Sequence, residues 1–318
     1  MKPRILCIVG PTASGKSGLA LALAKRFGGE ILCCDSMQIY RGMDIGTAKA
    51  TAAERAAVRH HLLDLVEPDA PFSAADYVGA ARAAITDVTA RGALPILCGG
   101  TGLYLDSLLR PTAYAAPPPD PMLRESLAAE LTEHGPEAMH ERLAAVDPDA
   151  AAAIHPHNTK RVLRALEICL SAGRTKSELD AASMVGECPY DACVLGLRWP
   201  REALNARIDQ RVGAMLEAGL VEEAAHLCEA GFLAPGKTAG QAIGYKELVP
   251  YLRGEEPLET AVERLKIATH RYAKRQMTWF GARNYVRWID CGEQNFEEIV
   301  NIAAALFIGG TECDTIKE

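Results

Sequence analysis

Short apolar runs alternate with longer amphipathic stretches along the first third of the chain. Three of these runs, residues 5–9, 30–34 and 94–98, have the length and composition of buried strands. Between the second and third runs, Ser73 and Asp76 form the pattern of a capping box, which predicts the start of a helix. Strands that alternate with helices predict an α/β fold built on a parallel sheet.

The pattern changes near residue 111. The proline-rich stretch at residues 111–121 suits neither a helix interior nor a central strand, so it predicts a linker. Beyond it the chain is rich in Ala and Leu at helical spacing as far as about residue 190, and we predict helices at 122–134, 136–146, 150–154 and 160–170.

An alternating apolar run at residues 192–197 predicts that the sheet resumes there. The rest of the chain is predicted to be helical, with a strong helix over residues 258–280. We therefore predict an α/β core formed by residues 1–116 and 191–318, and an all-helical insertion domain at residues 117–190.

The composition is that of an ordinary globular protein, because 49% of the 318 residues are hydrophobic and 24% are charged. No apolar run approaches the roughly 20 residues that a membrane span needs. The N-terminus leads directly into a predicted strand, so we expect a cytoplasmic protein without membrane association. The ten cysteines include no C-x-x-C pattern, which favours buried, reduced thiols over disulfides or zinc.

A phosphate-binding pattern joins the first strand to the first helix. It is the segment Gly10, Pro11, Thr12, Ala13, Ser14, Gly15, Lys16 and Ser17. In such a loop the backbone N–H groups and the helix N-terminus face an anion, the lysine adds a mobile charge and the serine hydroxyl can bind magnesium. A tight strand-to-helix turn is the alternative, but the flanking strand and helix are the context that a phosphate loop requires. The loop alone does not distinguish a nucleotide from another phosphorylated substrate.

Two further strand ends carry candidate chemistry. Asp35 follows the second strand and should stand beside the phosphate loop, since ligands of open α/β sheets bind at the carboxyl ends of strands. An Asp in this position is also a common turn former. Thr101 follows the third strand within a glycine cluster, where it either contacts a ligand or caps the next helix. That strand end lacks the acid with which nucleotide hydrolases hold magnesium.

The formal net charge of −7 argues against a nucleic-acid partner only if the charge is spread evenly. It is not, because residues 264–287 include no acid and seven basic residues, namely Arg264, Lys266, Arg271, Lys274, Arg275, Arg283 and Arg287. This basic stripe is either an RNA-phosphate contact or a solvated helix face. Smaller basic groups are Lys160, Arg161 and Arg164 at one helix start, and Arg207 and Arg211 on one helix face.

Taken in order, these segments resemble the motifs of bacterial tRNA dimethylallyltransferases. The matching segments are residues 10–17, 35–40 (DSMQIY), 44–49 (DIGTAK), 99–104 (GGTGLY), 161–167 (RVLRALE), 241–247 (QAIGYKE) and 272–280 (YAKRQMTWF). The resemblance implies a P-loop NTPase-like α/β fold, with a parallel sheet core and an all-helical insertion domain that contacts tRNA. The chain differs from the usual family residues at Ala50, His157, His270 and Gly281, which puts individual RNA contacts in question.

The resemblance also implies an activity. The dimethylallyl group of dimethylallyl diphosphate would be transferred to the exocyclic amine of the adenosine on the 3′ side of the anticodon, giving N6-isopentenyladenosine and diphosphate. The implied partners are the tRNA anticodon stem-loop and dimethylallyl diphosphate, the implied cofactor is Mg2+, and we expect a monomer. The missing acid fits this reaction, because the loop then holds a leaving diphosphate and no γ-phosphate is cleaved.

The resemblance assigns roles to individual residues. It implies Asp35 as general base, Thr101 as the residue that fixes the amine, and Lys16 as a charge that neutralises the leaving group. It implies that Gly10 to Ser17 bind the diphosphate together with Arg207 or Arg211. The implied tRNA contacts are Asp35, Ser36, Met37, Gln38, Thr101, Lys160, Arg161, Val162, Leu163, Arg164, Gln241, Lys246, Arg271, Lys274, Arg275 and Gln276.

Two alternatives share parts of this pattern. A kinase for a small molecule or a nucleotide would also have a phosphate loop and a helical lid, but it needs an acid that holds magnesium. A noncatalytic RNA-binding protein would share the basic stripe, yet it has no use for Lys16 and Asp35 at the same sheet edge.

Overall fold

The computed structural model describes residues 2–110, 120–183 and 187–309. The chain folds into two compact units, one formed by Met1–Leu109 with Cys188–Glu318 and the other by Arg110–Glu187. The predicted linker at residues 111–121 lies outside the described residues as far as residue 119.

A fully parallel sheet forms the centre of the larger unit. The described residues contribute six strands in the order β3-β2-β4-β1-β5-β6. They are β1 (Arg4–Val9), β2 (Gly29–Cys33), β3 (His60–His61), β4 (Leu94–Cys98), β5 (Asp191–Arg198) and β6 (Val286–Asp290). The predicted α/β class with a parallel sheet is confirmed.

Helices flank this sheet or form the smaller unit. In chain order they are α1 (Lys16–Phe27), α2 (Ala52–Ala57), α3 (Ala74–Ala90), α4 (Gly102–Leu109), α5 (Pro121–Val146), α6 (Pro148–Ala153), α7 (Thr159–Ala172), α8 (Lys176–Ser183), α9 (Arg201–Glu217), α10 (Leu220–Glu229), α11 (Val249–Leu252), α12 (Leu258–Gly281) and α13 (Phe296–Gly309). None of these helices, within the described ranges, has the length and apolar character that crossing a membrane requires.

Both faces of the sheet are covered, as a parallel sheet requires. Successive side chains of β1 point to opposite faces, so Ile5 and Val9 pack in a core with residues of α3 and α4. Leu6 and Ile8 pack in a second core with residues of α1 and α13. All four of these β1 side chains are buried, which explains why the strand reads as a continuous apolar run.

The prediction that the chain is entirely helical after β5 is wrong at β6. This short strand extends the sheet by pairing in parallel with β5, where Val194 lies opposite Val286. Two of its side chains enter the two cores, Val286 on one face and Ile289 on the other. Its five residues are stabilised by a neighbour almost a hundred residues earlier, so the local pattern gives no signal for a strand.

The smaller unit contains α5 to α8, and α8 has no counterpart among the individually predicted helices. Helix α5 bends at Gly135, next to Pro136, where the sequence pattern predicts two separate helices. Its core includes Leu143 and Leu166, both fully buried. Within this unit the buried carboxylate of Glu167 accepts a hydrogen bond from the backbone N–H of Asp120 at 2.9 Å and joins α7 to the start of α5.

The same substitution, glycine to alanine, should have opposite effects on stability at two nearby positions, one inside α9 and one between α9 and α10. Gly219 has a φ of 97°, a left-handed conformation, whereas Gly213 lies inside α9 with open space around it. Gly219→Ala should lower the free energy of unfolding by about 1–2 kcal/mol because of backbone strain. Gly213→Ala should raise it by up to about 1 kcal/mol through helix propensity. Urea unfolding followed by circular dichroism measures both, and equal effects would contradict this backbone geometry.

Candidate active site

A cavity of about 1040 Å³ lies in the larger unit at the carboxyl edge of the sheet. Its wall combines the phosphate loop with the ends of β2 and β4 and with side chains of α9 and α12. The lining residues that matter for chemistry are Lys16, Ser17, Asp35, Gly100, Arg211 and Gln276. The structure thus brings Asp35 together with Lys16 and Ser17 of the phosphate loop, whereas Thr101 is not among the residues that line the cavity.

Two carbonyl groups of the phosphate loop are held from outside. The Nε of Arg207 donates to the carbonyl oxygen of Ala13 at 2.9 Å, and the indole Nε1 of Trp199 donates to that of Ser14 at 2.9 Å. In a trans peptide the carbonyl and the following N–H point in opposite directions. These two bonds therefore fix the orientation of the Ala13–Ser14 and Ser14–Gly15 peptide planes, and the N–H of Ser14 itself donates to the carbonyl oxygen of Pro11 at 3.3 Å.

The hydroxyl of Ser14 is buried in the same loop. The residue is 2% exposed, and its Oγ has no hydrogen-bond partner among the described residues. Buried polar atoms are almost always paired in native proteins, so an unpaired hydroxyl beside a turn of backbone N–H groups suits an anionic ligand.

The ammonium group of Lys16 is enclosed by the loop. Its Nζ donates to the carbonyl oxygen of Pro11 at 2.6 Å. Burial lowers the pKa of Lys16 to about 8, although Cys98 and Asp35 act in the opposite direction. An anion bound beside Nζ would favour the charged form, since an opposite charge at close range offsets desolvation.

The two arginines of α9 occupy different places. Arg207 bonds the loop backbone, and its guanidinium stacks on the ring of Trp199 with 4.2 Å to the centroid. Arg211 lines the cavity itself, where burial lowers the pKa of its guanidinium and Asp35 acts in the opposite direction. A direct diphosphate contact stays a prediction for both residues, and Arg211 is the one whose side chain faces the cavity.

The carboxylate of Asp35 accepts a backbone hydrogen bond that is typical of a turn, and Asp35 also lines the cavity. Its Oδ1 accepts from the backbone N–H of Met37 at 2.9 Å, while Oδ2 has no hydrogen bond among the described residues. Thr101 stands next to this turn, and its hydroxyl accepts from the backbone N–H of Ser36 at 3.0 Å rather than capping α4. The two residues that the resemblance assigns to the amine are therefore joined through Ser36.

The side-chain amide of Gln38 is held within the protein. Its Nε2 donates to the carbonyl oxygen of Thr47 at 3.0 Å, and its Oε1 accepts from the thiol of Cys33 at 3.2 Å. The segment from Ser36 to Gln38 is half-buried at the cavity, and its tRNA contacts stay a prediction.

The loop at residues 44–49 forms another part of the wall, and one acid that the sequence analysis missed holds it. The carboxylate of Glu223 accepts the backbone N–H groups of Asp44, Ile45 and Gly46 at 2.9–3.0 Å and the hydroxyl of Tyr245 at 2.7 Å. No motif marks this residue, because its partners are about 180 positions away in the sequence for the loop and 22 for the tyrosine.

Only some residues of the predicted basic stripe are exposed and free of an ion pair with a carboxylate in the part of the chain that the structure describes. Arg264, Lys266 and Arg283 form ion pairs with Glu256, Glu263 and Asp106. Three exposed basic residues of α12 remain: Arg271 and Lys274 have no ion-pair partner in the described part of the chain, and Arg275 lies over the ring of Tyr272 at 5.6 Å. The surface available to phosphate groups is therefore smaller than the sequence indicates.

Two predicted tRNA contacts are buried side chains. Val162 is 1% exposed in the core of the smaller unit, and Gln276 is 5% exposed beside the phosphate loop. The predicted side-chain contacts of these two residues with tRNA need correction. The side chain of Val162 is packed in a core, and the side-chain amide of Gln276 is engaged in hydrogen bonds within the protein. Of the remaining predicted contacts, Lys160, Arg161, Gln241 and Lys246 are exposed, Leu163 is half-buried, and Arg164 lies 2.8 Å from Glu167.

The donor set limits which metal chemistry the site supports. No group of three or more His, Cys, Asp or Glu residues is placed to hold a metal ion within the described ranges. The end of β4, where a nucleotide hydrolase carries an acid, is Cys98, whose thiol pKa is raised to about 11 by burial despite the nearby Lys16. The Ser17 hydroxyl remains in the cavity wall, and one hydroxyl with phosphate oxygens and water suits magnesium.

Comparison with known proteins agrees with this geometry. The family model described as IPP transferase matches residues 38–284. A relative from Geobacillus kaustophilus, named tRNA dimethylallyltransferase, is 48% identical over 290 residues, which are 91% of each chain. Another of that name from Anaeromyxobacter dehalogenans is 52% identical over 286 residues, or 90% of this chain and 94% of the relative.

A solved structure extends the similarity to the fold. The crystal structure of the tRNA isopentenylpyrophosphate transferase from Bacillus halodurans superposes with a TM-score of 0.70 and 42% identity, and the match covers 97% of this chain and 98% of that one. With a family model that matches most of its length and relatives about half identical over nine-tenths of it, the chain belongs to the tRNA dimethylallyltransferase (IPP transferase) family.

Proposed function

We propose that this chain transfers the dimethylallyl group of dimethylallyl diphosphate to the exocyclic amine of the adenosine on the 3′ side of the anticodon in tRNA. The products are N6-isopentenyladenosine and diphosphate. The observation that carries the proposal is one cavity that contains both a phosphate loop and Asp35, with a thiol instead of an acid at the end of β4. Relatives named for this reaction support it.

The electrophile has to ionise, because the amine of adenine is a poor nucleophile. As the allylic C–O bond breaks, negative charge grows on the diphosphate. We propose that Lys16 and Arg211, which line the cavity, stabilise that charge together with backbone N–H groups of the loop. Mg2+ is the proposed cofactor; the Ser17 hydroxyl would help to hold it, and it would neutralise part of the charge on the diphosphate.

The amine loses a proton as the new C–N bond forms, and Asp35 is the proposed base. Its Oδ1 is fixed by the Met37 N–H, which orients Oδ2 as the acceptor of that proton. Thr101, held against Ser36, would fix the amine beside it. The adenine has to leave its stack to enter the cavity, at a cost of a few kcal/mol that is smaller in a loop than in a duplex.

RNA phosphate contacts would offset that cost. We propose that the exposed Arg271, Lys274 and Arg275 of α12 contact the anticodon stem-loop. We also propose that the smaller unit contacts tRNA near the start of α7, through Lys160 and Arg161. The protein is proposed to act as a monomer.

The direct test is nucleoside mass analysis after the protein, unmodified tRNA and dimethylallyl diphosphate are mixed. The expected product is isopentenyladenosine, and it should disappear when guanosine replaces the adenosine next to the anticodon. Hydrolysis of ATP or phosphoryl transfer in place of this product would favour the kinase alternative. RNA binding without any product would favour a noncatalytic protein.

Lys16→Met should slow transfer by about 10²–10³-fold, because it removes the charge that stabilises the leaving diphosphate while keeping most of the side-chain volume. The tRNA dissociation constant should stay the same. Single-turnover rates and RNA binding measure the two effects, and Lys25→Met, exposed on the same helix, is the matched control. Transfer at the normal rate by the Lys16 variant would remove this residue from the mechanism.

Asp35→Asn keeps the acceptor for the Met37 N–H but cannot take the proton of the amine. The thermal midpoint should barely move, whereas the chemical step should slow by about 10²–10⁴-fold. Single-turnover rates at saturating substrates, read beside thermal melts, separate the two roles. A variant that melts early and reacts at the normal rate would make Asp35 a turn former only.

Lys274→Ala should weaken tRNA binding and reduce the slope of log affinity against log salt by about 0.7, the value for one single-strand phosphate contact. Lys266→Ala is the matched control, because that lysine is already paired with Glu263 at 2.6 Å. Filter binding over a range of salt concentrations measures both slopes. If the two variants behave alike, the exposed part of the basic stripe is a solvated helix face.

A further inference from the structure

The side-chain amide of Gln276 uses both of its ends in a buried place. The residue is 5% exposed on α12, where its Oε1 accepts from the backbone N–H of Thr12 at 2.8 Å. Its Nε2 donates to the carbonyl oxygen of Gly100 at 3.0 Å. One partner is a donor and the other an acceptor, so only a side chain with both functions at this spacing satisfies the two backbone groups.

The loop that follows β4 is shaped for this approach. A Cβ atom on Gly100 would lie 2.0 Å from the Nε2 of Gln276, so no other residue at position 100 admits the amide in its present position. The neighbouring Gly99 is equally constrained, because a Cβ there would lie 2.0 Å from the carbonyl oxygen of Cys34. The glycine cluster is therefore required by close packing against α12 and against the end of β2.

These two bonds connect the two halves of the proposed reaction site. Thr12 belongs to the phosphate loop after β1, and Gly100 belongs to the loop after β4, the strand that pairs with β1. Thr101 follows directly and holds Ser36, the residue after Asp35. One amide thus lies between the backbone that would bind the diphosphate and the residues that would bind the amine.

We propose that Gln276 is a positioning residue for prenyl transfer, which fixes the phosphate loop relative to the loop of Thr101. This inference rests on the function proposed above. In this role Gln276 sets the distance between the reacting groups of the two substrates and does not recognise RNA. Displacement of the loop by about 1 Å would slow the transfer strongly, because the reaction rate depends on the orientation of the reacting groups.

Two substitutions separate this role from a general loss of stability. Gln276→Met keeps the shape and removes both hydrogen bonds, whereas Gln276→Glu keeps the acceptor for Thr12 and removes the donor to Gly100. Thr278→Ala on the same helix is the control, because Thr278 is exposed and its hydroxyl bonds only the carbonyl oxygen of Lys274. Thermal melts are recorded for all three variants, and every measurement is made well below the lowest midpoint.

We expect KM for dimethylallyl diphosphate to rise by about 10–100-fold in Gln276→Met and kcat to fall by about tenfold. Affinity for inorganic diphosphate, measured by calorimetric titration, should fall by about tenfold, and Gln276→Glu should lose at least as much because it adds a negative charge. Affinity for an anticodon stem-loop RNA should stay within about twofold. Thr278→Ala should match the unaltered protein in all of these.

Other results would overturn the proposal. Unchanged diphosphate affinity with weakened RNA binding would make Gln276 an RNA contact. Unchanged diphosphate affinity and KM with only a lower melting midpoint would make it a structural residue. If Gln276→Met does not fold, Gln276→Glu decides between these outcomes. Absence of transfer by the unaltered protein would count against the proposed function instead, while the diphosphate titration would still report on the loop.

Discussion

The orientation of two peptide planes in the phosphate loop is the constraint on which the site depends. An anion can be bound by backbone N–H groups only if those groups converge, and a short glycine-rich loop has other conformations available to it. Here Arg207 and Trp199 hold the carbonyl oxygens of Ala13 and Ser14, and Gln276 holds the N–H of Thr12. The loop is thus fixed by side chains that lie about 190 and 260 residues later in the chain.

The parallel sheet explains why those side chains are within reach. All strand ends that carry chemistry lie at the same edge, so the loops after β1, β2 and β4 meet there. Helices α9 and α12 pack beside this edge and supply polar side chains that bridge the loops. Burial at the same place raises the pKa of the Cys98 thiol, so β4 ends in a neutral group, and the acid nearest to Lys16 and Arg211 is Asp35, after β2.

The elements with strong local patterns could be predicted from the sequence. The capping box at Ser73 placed the start of α3, and the strand-to-helix pattern around residues 10–17 placed the loop. The parts that could not be predicted depend on partners distant in the sequence. Strand β6 needs β5, and the carboxylate of Glu223 finds the loop at residues 44–46 only in the folded chain.

The same limit explains only part of the overstated basic stripe, because Glu256 and Glu263 lie just 8 and 3 residues before the basic residues with which they pair. Charges counted along a sequence exaggerate a binding surface, because the carboxylates that pair with them in the fold are not visible in the count. Arg283 illustrates this, since its carboxylate partner Asp106 lies 177 residues earlier. Gln276 shows the reverse case, in which a polar residue beside exposed cations turns out to face inward.

Helix α12 carries its exposed cations on one side and the amide of Gln276 on the other, only one or two residues apart along the chain. A continuous helix of 24 residues cannot shift on the side that is proposed to contact RNA and leave its buried side in place. A displacement caused by the proposed RNA contact would therefore reach the backbone of Thr12, and reciprocity of binding free energies would require the diphosphate to change RNA affinity by the same factor. The proposed RNA contacts of α12 and the proposed diphosphate loop would then form a thermodynamically coupled pair of sites, although the exposed cations and Gln276 lie on different sides of the helix.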